Sequence, residues 1–184
     1  MWVYRSGELE PNPVILYEYQ KTRKKEHARE FLKGFSGICV TDGYQVYHSI
    51  ADEREDLTIA GCWSHARRGF ADVVKAAGKK DVGIRQSVAY KSLQLIQTMS
   101  RYEEKLAKME PAERLEARIH YVLPLADAFF AYLKSKEGSV APKSATGKAI
   151  RYCLNQERFL RVFLTDGYVP MTNNAAERSI RPFT

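Results

Sequence analysis

The sequence predicts an α/β protein in which a mixed sheet is interrupted by a large, all-helical block. Residues 1–63 contain β-branched and aromatic runs separated by turns, which is typical of short strands. Residues 65–164 instead carry helical periodicity with few strand signals. A last short helix follows around residue 177. With 184 residues, 45% of them hydrophobic, the chain can bury a substantial core.

The amino-terminal part predicts the sheet. Runs at 1–5 and 14–19 flank a turn-rich stretch, so we expect an antiparallel hairpin there. Residues 21–33 show one apolar helical face. The apolar runs 38–41 and 57–63 then predict two buried strands joined by a mostly polar, helical connection. This order suits a mixed sheet with right-handed crossovers.

The following hundred residues predict an all-helical block with glycine and proline breakers between its members. The expected helices cover residues 66–77, 82–108, 111–133 and 145–164. Because the block separates the strands from the last helix, we expect it to be an insertion into the sheet part. The predicted division is a sheet part at 1–65, a helical insertion at 66–168 and a final helical part at 169–184.

Charge and cysteine content narrow the classes of partner. The chain has 29 Lys and Arg against 22 Asp and Glu, a net charge of +7, which favours a polyanion such as nucleic acid. Its three cysteines are scattered and odd in number, as expected in a reducing compartment. No apolar run reaches the length of a membrane span, and the start lacks the pattern of a signal peptide. We therefore expect a soluble, intracellular protein without a membrane partner.

Two carboxylates stand where a metal-dependent site could use them. Asp42 ends an apolar strand and precedes Gly43, although an Asp-Gly pair taken alone more often makes a simple turn. Glu177 falls in the first turn of the last helix, after the polar cap candidates 172–174. It could equally complement the helix dipole or pair with Arg181 four residues later. From the residues alone, both functional and structural interpretations stay open.

The run Cys62-Trp63-Ser64-His65 places a cysteine and a histidine three positions apart. A structural zinc site needs four ligands, and no second pair is present, so we expect a packed Cys62 and a His65 that holds the turn by hydrogen bonding. The arginines that follow this run, and those of the last helix, could hold phosphates or simply be solvated. These are Arg67, Arg68, Arg178 and Arg181.

Together these strings resemble the transposases of the insertion-sequence 66 family, bacterial enzymes with an Asp-Asp-Glu active site. The resemblance covers essentially the whole chain. Its two most specific strings have the forms Cys-Trp-x-His-x-Arg-Arg and Asn-Asn-x-x-Glu-Arg-x-x-Arg-Pro. The matching residues are Gly34–Gly37, Thr41–Tyr44, Cys62–Arg68 with Phe70, Tyr152–Gln156 and Asn173–Phe183, with Cys62, Trp63, His65, Asn173 and Asn174 as structural members.

The resemblance implies a ribonuclease-H-like fold with the helical insertion between the second and third catalytic carboxylates. It assigns Asp42 as the second carboxylate and Glu177 as the third, both binding Mg²⁺ or Mn²⁺. The implied reaction is DNA strand cleavage and strand transfer at transposon ends, through two-metal phosphoryl transfer. DNA is the implied partner, contacted by the four arginines, in a homo-oligomeric complex on the bacterial nucleoid.

One departure from the family pattern decides what we expect of this chain. The family's first aspartate lies on a strand before the Trp2 strand, and no aspartate precedes Asp42 here. We expect a catalytic-core fragment that is inactive alone and has an open sheet edge where that strand belongs. The alternatives are a non-catalytic DNA-binding or oligomerising remnant, a decayed fragment without function, and a nuclease of the same fold.

Overall fold

A computed structural model describes residues 1–7, 9–78 and 82–180. The amino-terminal hairpin joins β1 (Trp2–Arg5) to β2 (Ile15–Glu18) in antiparallel register, with Trp2 opposite Glu18. A second pair joins β3 (Gly37–Thr41) to β4 (Leu57–Gly61) in parallel, with Thr41 opposite Gly61. The predicted hairpin and both predicted inner strands are therefore present, in a mixed α/β fold.

The strands form two sheets, whereas the sequence predicts one. Among the described residues each sheet has two strands, and no ladder joins β1 to β3. A cavity of about 780 Å³ lies between these strands and is lined by both of them. Both sheets thus keep an unpaired edge on this side, so the expectation of an open edge agrees with this arrangement.

Two short helices connect these strands along the chain. The helix α1 (Lys25–Phe31) leads from β2 to β3, and α2 (Gln45–Ala51) leads from β3 to β4. They form a small hydrophobic cluster with the strands, because each helix turns one apolar face inward. Its buried members are Trp2, Ala28, Leu32, Ile50, Leu57 and Ile59.

The helical block agrees with the predicted segments but differs in detail. It contains α3 (Trp63–Ala77), α4 (Val88–Leu106), α5 (Pro111–Ala117), α6 (Leu123–Glu137), α7 (Ala145–Asn155) and α8 (Glu157–Leu160). Short 3₁₀ turns lie at Val82–Gln86 and Val162–Leu164. The final helix is α9 (Asn174–Ile180). Within the described residues, no helix is both long and apolar enough to cross a bilayer.

The predicted continuous helix 111–133 is interrupted by a π-helix at Arg118–Val122. Pro124, in the first turn of α6, has no backbone N–H and cannot complete the α-helical hydrogen bonds of the preceding turn. A wider π turn accommodates this loss. Helical periodicity alone does not reveal such a change, because the apolar face stays nearly in phase.

The core of the block is aromatic and centres on Trp63. Its indole is fully buried, lies 5.3 Å from the ring of Phe129, and donates a 2.8 Å hydrogen bond to the carbonyl oxygen of Leu160. Ala60 of β4 belongs to the same hydrophobic cluster. The helices therefore pack directly on the parallel strand pair, and the core is continuous between them.

Two buried arginines attach the segment after α8 to the rest of the block. Arg118 is 1% exposed, pairs with Glu103 at 2.6 Å, and donates to the carbonyl oxygens of Phe163 and Asp166. Arg114 donates to the carbonyl oxygen of Gly167 at 3.2 Å. Since buried charge is costly without partners, these contacts fix the path of the chain toward α9.

Candidate active site

The carboxyl ends of the two parallel strands lie side by side and begin the site. Thr41 and Gly61 are register partners, so the residues that follow them emerge at one edge. The backbone N–H of Cys62 donates to the carbonyl oxygen of Thr41 at 3.0 Å. Such strand ends commonly carry ligand-binding residues, because side chains there project beyond the sheet.

Asp42 directly follows β3 and is half-buried. Its Oδ1 accepts a 3.0 Å hydrogen bond from the backbone N–H of Tyr44. Gly43 between them has φ +82°, a conformation that favours glycine, so the turn interpretation of the Asp-Gly pair is correct as local structure. This turn also leaves Asp42 lining the cavity between the sheets.

The chain returns to the same place just before α9. The backbone N–H of Trp63 donates to the carbonyl oxygen of Met171 at 3.1 Å. The backbone N–H of Asn173 donates to the thiol of Cys62 at 3.4 Å. The two ends of the helical block are therefore neighbours, although more than a hundred residues separate them in sequence.

Glu177 lies in the first turn of α9, as predicted, and its side chain is 37% exposed. Its Oε1 lies 3.4 Å from Nε2 of His65, which is in the first turn of α3. Asn174 begins α9. Arg181 lies outside the described residues, so the expected pair between Glu177 and Arg181 stays a prediction.

The two carboxylates line the same cavity. Its walls include both strand edges that have no partner in the described chain, together with Asp42, Asn173 and Glu177. The lining is mostly apolar where β1 and β3 form it, with Val3 and Ile38 among its members. Both predicted carboxylates therefore border a single space.

The donor atoms at this cavity fit a hard divalent cation. Carboxylate and amide oxygens are the ligands that Mg²⁺ and Mn²⁺ accept, and Asp42, Glu177 and Asn173 supply them. The side-chain oxygen of Asn173 is buried and has no hydrogen-bond partner in the described part of the chain. No group of three His, Cys, Asp or Glu suited to a metal occurs among the described residues.

Cys62 and His65 have packing and hydrogen-bonding roles here. Cys62 is fully buried, and burial raises the pKa of its thiol, so the thiol stays neutral and accepts the Asn173 N–H. Trp63 fills the core next to them. The backbone N–H of His65 donates to the carbonyl oxygen of Cys62 at 3.2 Å, as the turn interpretation predicts, and its ring in addition reaches Glu177 of another helix.

The predicted DNA-binding arginines of the described chain are all exposed. Arg67 and Arg68 lie on α3 and Arg178 on α9. None of the three forms an ion pair with another described residue. By contrast, Arg158 pairs with Asp52. Three arginines without an ion-pair partner in the described part of the chain thus flank the two ends of the helical block.

Tyr152 is a site neighbour to which the sequence assigned no role. Its hydroxyl donates to the carbonyl oxygen of Asp42 at 3.4 Å, and burial raises its pKa to about 12. The nearby Arg68 guanidinium acts on this pKa in the opposite direction. The signal that could have identified Tyr152 is its place in one of the strings that carry the family resemblance.

Comparisons with known proteins find relatives over nearly the whole chain. Three relatives from Sinorhizobium fredii are uncharacterized proteins: y4qI is 33% identical over the whole chain, y4jD 29% over 92% of it, and y4hP 31% over 92% of it. The matches cover 35%, 33% and 32% of those proteins, so the chain spans about a third of the relatives' length. No solved structure matches it.

A protein-family model matches the chain over its full length. The family model described as "Transposase IS66 family" matches residues 1–184. This match includes both strand ends, the helical block and α9. The chain belongs to the IS66 family of transposases.

Proposed function

We propose that this chain is part of the catalytic core of a DNA transposase that cleaves strands and transfers them at transposon ends. Asp42 and Glu177 are the proposed catalytic carboxylates. The observation that carries the proposal is their position on one cavity, although an entire helical block separates them in sequence. Family membership supports the transposase role itself.

Asp42 and Glu177 would hold Mg²⁺ or Mn²⁺, with Asn173 as a neighbouring oxygen donor. When bound, the metal ions supply activation of the attacking oxygen and stabilisation of the leaving oxygen. The protein's own contribution is positional. The Tyr44 N–H holds one oxygen of Asp42, and the contacts around Cys62 and Trp63 hold the segment that precedes Glu177.

We further propose a ribonuclease-H-like sheet in which one more strand belongs between β1 and β3. The separate sheets, their unpaired edges and the cavity between them support this proposal. In this proposal, that strand would carry the first aspartate that the family resemblance implies; residues 1–41 contain no aspartate. Residues 1–184 alone should therefore fail to cleave DNA.

DNA is the proposed partner, and Arg67, Arg68, Arg178 and Arg181 are the proposed phosphate contacts. The exposure of the first three and their lack of ion pairs with described residues support this role. We place the protein in the bacterial cytoplasm, on the nucleoid when it acts, as a homo-oligomer in the functional complex.

The test has two stages. Binding of Mn²⁺ to residues 1–184 is measured by titration calorimetry for the unaltered chain, Asp42→Asn and Glu177→Gln; each neutral isostere should lose most of the affinity. Nicking of supercoiled plasmid is then measured in a longer family protein that contains the preceding strand. There, each substitution should abolish metal-dependent nicking while DNA binding stays nearly intact.

Two outcomes contradict the proposal. Full nicking by either substituted protein would show that other carboxylates carry the chemistry. An unaltered longer protein that binds DNA but never nicks it in Mg²⁺ or Mn²⁺ would support the non-catalytic remnant instead. The exposed, ion-paired Asp52→Asn serves as the control, because it removes a carboxylate outside the cavity.

A further inference from the structure

The contact between His65 and Glu177 joins the motif that begins at Cys62 to the motif that begins at Asn173, which are far apart in the sequence. Nε2 of His65 lies 3.4 Å from Oε1 of Glu177. His65 is the more enclosed partner, with 18% of its side chain exposed against 37% for Glu177. The imidazole of His65 is therefore more tightly enclosed by its neighbours than the carboxylate of Glu177.

The surroundings of the imidazole determine which nitrogen donates. A carboxylate only accepts hydrogen bonds, so the ring nitrogen that faces Glu177 must carry hydrogen. The other nitrogen, Nδ1, is buried and has no hydrogen-bond partner among the described residues. Hydrogen on Nε2 therefore suits the contact with Glu177.

The backbone around His65 explains why the ring is placed there. The same turn that carries His65 is attached to the segment before α9 twice, by the Trp63 N–H on Met171 and by the Asn173 N–H on the Cys62 thiol. Trp63 is itself fixed in the aromatic core. His65 is thus held on the helical block, and it reaches the first turn of α9 from a rigid base.

We infer that His65 is a positioning residue for Glu177. Its Nε2–H orients the carboxylate at the cavity, so that the oxygen that is not paired with His65 stays available to a divalent cation. Among the described residues, His65 is the one side chain that pairs with Glu177, so it is the contact that restrains the direction of this carboxylate there. The inference rests on the proposed role of Glu177 as a metal ligand.

A direct metal-binding role for the Cys62–His65 pair fits the structure less well. The Cys62 thiol already accepts a hydrogen bond from Asn173, and burial raises its pKa, which disfavours the thiolate that a metal requires. His65 faces a single carboxylate, that of Glu177. Orientation of Glu177 is the role that these contacts support.

The experiment compares His65→Gln with His65→Asn in residues 1–184. Glutamine can place its amide nitrogen near the position of Nε2, whereas the shorter asparagine cannot reach Glu177. Mn²⁺ affinity, measured by titration calorimetry, should fall about 10–100-fold for His65→Asn, the usual loss when a residue that orients a metal ligand is removed. For His65→Gln it should stay within about threefold of the unaltered chain, since the donor is retained. His27→Asn is the matched control, because this histidine is also half-buried but its ring contacts Thr22 and not Glu177.

The outcomes separate this inference from the proposed function. If Glu177→Gln leaves Mn²⁺ affinity unchanged, the metal site itself is wrong. If Glu177→Gln abolishes binding while His65→Asn does not weaken it, the site stands and the positioning role is refuted. Equal losses in His65→Gln and His65→Asn, with matching falls in thermal stability, would also refute it, because a purely structural histidine behaves in that way.

Discussion

Replacing Gly43 by alanine should lower the free energy of unfolding by about 4 kcal/mol. Gly43 has φ +82°, which alanine adopts only with strain. A Cβ atom there would also lie 2.8 Å from the hydroxyl oxygen of Tyr152, closer than real Cβ contacts allow. The substitution therefore combines backbone strain with a steric clash directly beside Asp42.

The two contributions can be estimated separately. A residue in a sparsely populated backbone conformation costs about 1–3 kcal/mol, and overpacking costs a further 1–3 kcal/mol or so. Taking the middle of each range gives about 4 kcal/mol, and a chain of this size loses about 2–4 °C of melting temperature for each kcal/mol. The expected fall in melting temperature is thus about 8–16 °C.

The assay is thermal and urea unfolding followed by circular dichroism, with two controls. Gly78 has φ +78°, but a Cβ atom added there would meet nothing within 4 Å, so Gly78→Ala should show the strain alone, about 2 kcal/mol. In a Tyr152→Phe background the clashing hydroxyl is gone, and the nearest remaining atom is 3.5 Å away. There, Gly43→Ala should also cost about 2 kcal/mol.

Two results would refute this reasoning. Stability of Gly43→Ala equal to that of the unaltered chain would mean that the turn after β3 relaxes freely. An equal cost of Gly43→Ala with and without the Tyr152 hydroxyl would mean that Tyr152 does not confine the turn. In either case, the conformation of Asp42 could not be attributed to these two residues.

The remaining predictions concern packing and charge. Gly167→Ala should lower the free energy of unfolding by about 3 kcal/mol, because the new Cβ atom would overlap the carbonyl oxygen of Pro111. Gly138→Ala, with open space around it, should change that free energy by less than about 0.5 kcal/mol in the same urea titration. Joint replacement of the four proposed phosphate contacts by alanine should weaken binding to a short DNA duplex and flatten its dependence on salt, measured by fluorescence anisotropy. The control replaces Arg29 and Arg158, which already have carboxylate partners. If the fourfold variant binds DNA as tightly as the unaltered chain in low salt, the four arginines have a structural role. The replaced residues are Arg67, Arg68, Arg178 and Arg181.

Local patterns in the sequence predict the elements that carry the site. An apolar run ended by Asp-Gly indicates β3 and the turn at Asp42, and polar caps before an acidic first turn indicate α9 with Glu177. These features depend on neighbours in sequence, so they are readable without tertiary structure. The aromatic packing around Trp63 likewise follows from a helix that must bury one face.

Features that depend on distant residues are not readable in this way. The contact of His65 with Glu177 forms only because the end of the helical block lies beside its beginning. No local sequence pattern predicts this proximity. The division of the described strands into two sheets is not predicted, because strand patterns do not specify which edges pair. The π-helix follows from Pro124, whose effect the periodicity conceals.

The adjacency of Trp63 and Met171 makes the spacing of the carboxylates a cooperative property. The covalent path from Asp42 to Glu177 runs through the whole helical block. Its two ends are also joined directly by hydrogen bonds from the Trp63 N–H to Met171 and from the Asn173 N–H to the Cys62 thiol, and Trp63 and Met171 belong to the hydrophobic core of the block. Unfolding of that core would break these hydrogen bonds together. The candidate site thus has no stability separate from that of the helices, and it exists only while they remain folded.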